Sequence, residues 1–239
     1  MTGPLGDVWV YLSATPLLWL TATLVAYLIG VTLFGRLGRN PVVQPVAVAI
    51  VLLVAVLLVS GTAYDVYFDG AQFVHFLLGP ATVALAVPLF SQWKRVKRAV
   101  LPMAAALLAG SLTAVVSAVG IAAMLGASRE SVLSLAPKSV TTPIAMGIAE
   151  KIGGLPSLTA VLVILTGIIG AMTATPLLNL LGLKDYAARG FAVGVASHGI
   201  GTARAFQVSE LAGAFAGIAM GLNALATAVI VPLLVRLFG

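Results

Sequence analysis

Val42-Val-Gln-Pro-Val-Ala-Val-Ala-Ile-Val-Leu-Leu-Val-Ala-Val-Leu-Leu-Val59 holds no acidic or basic side chain. It lies inside a charge-free window that runs from Arg39 to Asp65. A helix needs about 20 mostly apolar residues to cross the hydrocarbon of a bilayer, and this window supplies them. The same pattern recurs on either side, between Asp7 and Arg36, Asp69 and Lys94, Arg98 and Arg129, Lys151 and Lys184, and Glu210 and Arg236. Across all 239 residues, 61% are apolar and 8% charged, with a mean hydropathy of +1.13. A soluble chain carries about 25% charged residues. The expected class is an all-α polytopic membrane protein in the lipid bilayer.

The same composition excludes other chemistries. The chain has no Cys, which removes disulfide scaffolds, thiolate metal sites and cysteine catalysis. Two His and seven acidic residues are scattered without the spacing of a zinc site, so no metal and no cofactor is expected. The net charge is +6. Its basic run, Lys94-Arg-Val-Lys-Arg98, sits between apolar spans, which suits a cytoplasmic loop facing anionic lipid heads rather than nucleic acid.

Cations mark the cytoplasmic loops. Arg36 and Arg39 follow a first span at about 14–34, which puts the N-terminus outside. A second span (about 42–59) leads out to Asp65 and Asp69. A third (about 71–93) returns to Lys94–Arg98, and a fourth (about 99–125) leads out to Arg129 and Glu130. Residues 131–154 differ, being broken by Pro137, Pro143 and Gly153-Gly154. They are expected to form a broken or re-entrant segment, tolerated only inside protein or beside a watery cavity. If it returns outside, spans follow at 156–181 inward, 190–207 outward and 211–237 inward. Lys184, Arg189 and Arg236 are then all cytoplasmic. A full crossing at 131–154 would give eight spans instead of seven.

Organised this way the chain is one membrane domain, 1–239. A peripheral first helix (1–40) precedes one repeat (42–125), the broken segment (131–154) and a second repeat (156–237). The expected architecture is an inverted 3+3 repeat with two interrupted helices. One carries Gly79-Pro80 and Pro88, the other Gly199 and Gly201. Such paired interruptions mark the binding site of a secondary transporter.

Ionisable groups at bilayer depth are costly and point to function. Lys138 lies among Ser139, Thr141 and Thr142 between two prolines, and Ser197-His198 leads through Gly199 and Gly201 to Thr202 and Arg204. Ammonium, guanidinium and hydroxyls together suit a small carboxylate, with Arg204 offering a bidentate fork. Asn223 is a further amide in an apolar run, either a site group or an interhelical bond. Glu150 and His198 are the candidates for carrying a proton. Gly213, Gly217 and Gly221 form a close-packing face.

Several stretches together resemble one family. They are Pro137-Lys-Ser-Val-Thr-Thr-Pro-Ile-Ala-Met146, Gly153-Gly-Leu-Pro-Ser-Leu-Thr-Ala160, Ala196-Ser-His-Gly-Ile-Gly-Thr-Ala-Arg-Ala205 and Met220-Gly-Leu-Asn223, with Leu78-Gly-Pro-Ala-Thr-Val-Ala-Leu-Ala-Val-Pro-Leu89. The resemblance is to the LrgB/CidB family of antiholin-like membrane proteins and to the LrgB-like half of plastidial glycolate/glycerate translocators. It implies the bacterial inner membrane and a small LrgA/CidA-type membrane partner, with a homo-oligomer as a further arrangement.

Two functions compete, and neither is an enzyme. The first is a secondary transporter of small monocarboxylates such as glycolate, glycerate, lactate or pyruvate, working by alternating access. The alternative is a holin- or antiholin-like pore, or a regulator of murein hydrolase export and autolysis. A pore would line one helix face with polar residues over several turns, whereas here polarity gathers at broken segments.

Overall fold

A computed structural model describes residues 16–77, 80, 83, 84 and 86–238, and among these every regular element is a helix. The chain divides into two compact units, 1–84 and 85–239. That boundary falls inside the 42–125 repeat expected from the sequence.

The first unit holds α1 (Pro16–Arg36), α2 (Pro45–Ser60) and α3 (Tyr64–Phe76). Glycines bring α1 close to both neighbours. A Cβ on Gly30 would meet the Pro45 carbonyl oxygen at 2.5 Å, and one on Gly70 would meet that of Pro16. Trp19 is buried there with its ring edge-on to Tyr67.

The second unit holds α4 (Ala86–Ser91), α5 (Trp93–Arg98), α6 (Val100–Met124), α7 (Arg129–Leu135), α8 (Thr142–Ile152), α9 (Pro156–Leu180), α10 (Tyr186–Val208) and α11 (Glu210–Phe238). Four described helices are long and apolar enough to cross a membrane: α1, α6, α9 and α11. Packing gives their directions within this unit. Met103 meets Phe215 in one apolar cluster, and Val115 meets Val231 in another. Both numbers rise together, so α6 and α11 are parallel. Val163 meets Val231, while Leu178 meets Ala212, so α9 runs the opposite way.

The spacing of α10 does not fit a crossing. A Cβ on Gly190 would strike the backbone of Ala212, and one on Gly194 that of Ala216. The first arm of α10 therefore runs parallel to α11, the helix that follows it. Gly213 in turn lies against the Phe206 ring, so the second arm is antiparallel to α11. Consecutive elements can satisfy both only if the chain reverses between 194 and 206. It does so at Ser197 (φ −133°, ψ 15°) and His198 (φ 40°, ψ −136°). Each arm has about ten residues, about 15 Å of helix, or about half the hydrocarbon thickness.

Residues 129–154 make a second hairpin. At its base the Leu155 N–H donates to Ser134 Oγ at 2.8 Å, and a Cβ on Gly154 would meet the Ser134 N at 2.9 Å. Toward its tip Ala136 and Val140 pack with Ala145 and Ile148. The expected re-entrant segment is therefore a hairpin that enters and leaves on one side. Its base adjoins the start of α9, where Thr159 Oγ1 donates to the Ser134 carbonyl. The base of the 186–208 hairpin adjoins the end of α9, where Leu178 packs with Val193 and Ala205. The two hairpins thus enter from opposite ends of the unit.

Two expectations need correction. Residues 190–207 turn back halfway instead of crossing. The helix at 211–237 consequently ends on the Arg129 side of the unit, not on the Lys184 side. Within this unit, one 25-residue helix followed by a hairpin (α6 with 129–154) runs opposite to another 25-residue helix followed by a hairpin (α9 with 186–208). The charge rule misled because it counts cations at span ends and assumes that every span crosses. The interruption expected at Gly79-Pro80 lies largely outside the described residues.

Candidate functional site

The hairpin tips meet beside the middle of α11, and Asn223 joins them. Its side-chain amide donates to the Ser139 carbonyl (3.2 Å) and to the Val195 carbonyl (3.0 Å). Its Oδ1 accepts from Ser111 Oγ of α6 (2.5 Å) and from Thr227 Oγ1 (3.4 Å). Ser111, Ser139, Asn223 and Thr227 are all buried. Reversing the chain at Ser197 and His198 deprives the Val195 carbonyl of a helical partner, and buried backbone groups must be paired. Asn223 meets that need at both tips at once.

Two half-helices start at this junction. Thr141 is the N-cap of α8, with no side-chain hydrogen bond spent on the cap. The second arm of α10 begins at Gly199, just past the break. Helix N-termini present unpaired N–H groups and a partial positive charge. Lys138 adds a full charge: its Nζ donates to Ser139 Oγ at 3.3 Å, and it lies within electrostatic reach of His198. His198 is buried, with Nε2 bonded to the Val163 carbonyl of α9 at 2.9 Å. A carbonyl only accepts, so Nε2 carries the ring proton and a neutral ring keeps Nδ1 as an acceptor.

Small residues on α9 seat the second tip. A Cβ on Gly167 would lie 2.7 Å from the His198 ring, and one on Gly170 would collide with Ser197 Oγ. Thr202 Oγ1 donates back to the His198 carbonyl at 2.7 Å, holding the turn. Gly201 serves close packing, since a Cβ there would stand 2.5 Å from that of Ser197. Gly199 has room to spare, with the nearest atom, Met220 Sδ, at 3.8 Å.

The structure thus brings together Lys138, Ser139, Thr141, Thr142, Ser197, His198, Gly199, Thr202 and Asn223. It does not bring Arg204 to them. Six residues past His198, about 9 Å along the arm, Arg204 lines a small pocket with Tyr186 and Arg189 at the hairpin base. Its Nη1 donates to Gln207 Oε1 at 3.2 Å. Glu150 is exposed near the end of α8, eight residues from Thr142 and so about 12 Å from the tip. Sequence reasoning missed Ser111, Thr227, Gly167 and Gly170. Thr227 was readable as the i+4 neighbour of Asn223, whereas a lone Ser111 in an apolar helix carried no signal.

These features define a multi-pass helical membrane protein with a polar, cation-bearing junction at the meeting of two opposed hairpins. A family model described as the LrgB-like family matches residues 23–237, and the chain belongs to that family. It is 36% identical over 216 residues to the uncharacterized protein YxaC of Bacillus subtilis (strain 168), covering 90% of this chain and 94% of the relative. It is 31% identical over 228 residues to the holin-like protein CidB of Staphylococcus epidermidis (strain ATCC 12228 / FDA PCI 1200), covering 95% and 98%. To the antiholin-like protein LrgB of Bacillus mycoides (strain KBAB4) it is 32% identical over 227 residues, covering 95% and 99%. No solved structure matches the chain.

Proposed function

We propose that the protein is a secondary transporter of small hydroxy- or keto-monocarboxylates in the bacterial inner membrane, with the junction at Lys138 and His198 as its binding site. The observation that carries this reading is the meeting of two half-helix N-termini beside one lysine, at the tips of hairpins entering from opposite sides. A carboxylate leaving water needs cations and donors in exchange. Lys138 would neutralise it, the N–H groups at Thr142 and Gly199 would bond its oxygens, and Ser197, Ser139 and Thr141 would meet the neighbouring hydroxyl or keto oxygen. His198 would receive or supply a proton through Nδ1. A small LrgA/CidA-type partner belongs to this reading.

The test is flux in liposomes holding the purified protein, offered labelled glycolate, glycerate, lactate and pyruvate with and without a proton gradient. Saturable uptake of one of them, lost in Lys138→Ala, is expected.

The names of the relatives favour a second reading, a holin- or antiholin-like role in lysis. It is separated by the same liposomes. A lesion releases dyes of unrelated charge without saturation, and a regulator moves nothing.

A further inference from the structure

A cavity of about 900 Å³ opens between α6 and the first arm of α10 and runs from the Lys184 end down to Val195 and Ala196, on the outer side of the hairpin tip, and its chemistry is graded along its length. Arg95, Arg98 and Lys184 stand at the mouth with Asp185. The Asp185 carboxylate is engaged as the cap of α10, accepting from the Ala188 N–H at 2.7 Å. Below the mouth the wall is apolar, with Met103, Phe191 and Phe215 on one stretch and Ala106, Gly110 and Ala114 on another. From Ala99 to Ala114 the cavity follows fifteen residues of chain, about 22 Å of helix. One leaflet of hydrocarbon is about 15 Å deep.

A two- or three-carbon acid fills little of such a volume, and below the charged mouth the described side chains are apolar and leave its carboxylate without a donor. The fitting occupant has an anionic head and a long hydrocarbon body. We propose that this cavity binds one anionic phospholipid of the leaflet on the Lys184 side, such as phosphatidylglycerol. Its phosphate would be held by Arg95, Arg98 and Lys184 and an acyl chain would lie along α6. Guanidinium groups suit phosphate bidentately. The neighbouring lysines are not equivalent: Lys97 lies over the Trp93 ring at 5.2 Å, and neither it nor Lys94 lines the cavity. A second cavity of about 710 Å³, between α6 and α11, has Arg129 as the single cation among its described lining residues and lacks this cluster. The inference is independent of the proposed transport.

The experiment uses the full chain in neutral detergent, with thermal melting followed on adding phosphatidylglycerol, phosphatidylcholine of the same chains, or inorganic phosphate. Native mass spectrometry counts bound lipid alongside. Phosphatidylglycerol alone is expected to raise Tm, with one molecule retained. The variant Arg95→Gln/Arg98→Gln/Lys184→Gln is expected to weaken that retention about tenfold, while Lys94→Gln/Lys97→Gln keeps it. Ala106→Phe, which fills the cavity, is expected to abolish retention; should it fail to fold, the triple charge variant decides. Equal effects of the two lipids, an equal effect of phosphate, no effect of any of them, or full retention in the triple variant would each overturn the proposal.

Discussion

Asn223 makes four hydrogen bonds, and each reaches a different residue: Ser111, Ser139, Val195 and Thr227. Truncating it leaves two buried carbonyls and two buried hydroxyls without this partner. Interhelical bonds in membranes contribute less than in vacuum, since the unfolded chain also finds partners. Asn223→Ala is therefore expected to cost about 2–4 kcal/mol, read from the midpoint of an SDS unfolding titration. A midpoint equal to wild type would show the two tips to be held by other contacts. The cations divide differently from their appearance in sequence. Lys138 stands at the tips and Arg204 at a hairpin base, so Lys138→Ala is expected to abolish saturable carboxylate uptake while Arg204→Ala retains it. Loss of uptake in Arg204→Ala with normal uptake in Lys138→Ala would reverse the assignment.

At the scale of elements, the 186–208 hairpin depends on small residues facing small residues. Gly190 and Gly194 lie on the backbone of Ala212 and Ala216, a small-xxx-small contact of the kind that lets membrane helices approach closely. A side chain at Gly194 would run into the Ala216 carbonyl, which cannot move without shifting α11. Gly194→Leu is accordingly expected to give aggregated protein on size-exclusion chromatography. Gly199→Ala, with open space around it, is expected to elute as wild type. A monodisperse Gly194→Leu protein would mean that the hairpin does not pack there. The spacing of Gly213, Gly217 and Gly221 marks α11 as a packing face; of these, Gly213 meets the Phe206 ring, whereas Gly221 faces open space.

For the whole molecule, the hairpin topology changes which positions share a side. The Lys184 loop and Ser209 flank one hairpin and belong together, while Ala127, ahead of the other hairpin, belongs with the end of α11. The chain has no Cys, so single cysteines at 127, 184, 209 and 236 can be labelled with an impermeant reagent in intact cells and in inverted vesicles. Positions 184 and 209 are expected to label from one side, and 127 and 236 from the other. Labelling of 184 and 209 from opposite sides would restore a full crossing at 190–207. The arrangement gathers Lys184, Arg189 and Arg204 at one end of the unit, in keeping with the preference of cations for the cytoplasmic face.

The sequence by itself determined the solvent and the material. Long charge-free windows required helices in a bilayer, Pro137, Pro143 and Gly153 marked the re-entrant segment, and Lys138, His198 and Asn223 stood out because polar groups are expensive at that depth. Only the tertiary structure decided that 186–208 reverses, because His198 at φ 40° is a backbone state that its residue type does not announce. Hydropathy likewise cannot separate two half-length arms from one full span. The same reversal decided which polar residues share a site. It carries Arg204 back to the base and leaves His198 at the tip, beside a lysine sixty residues earlier in the chain. Partners that far apart are joined by helix packing, and no local pattern records them.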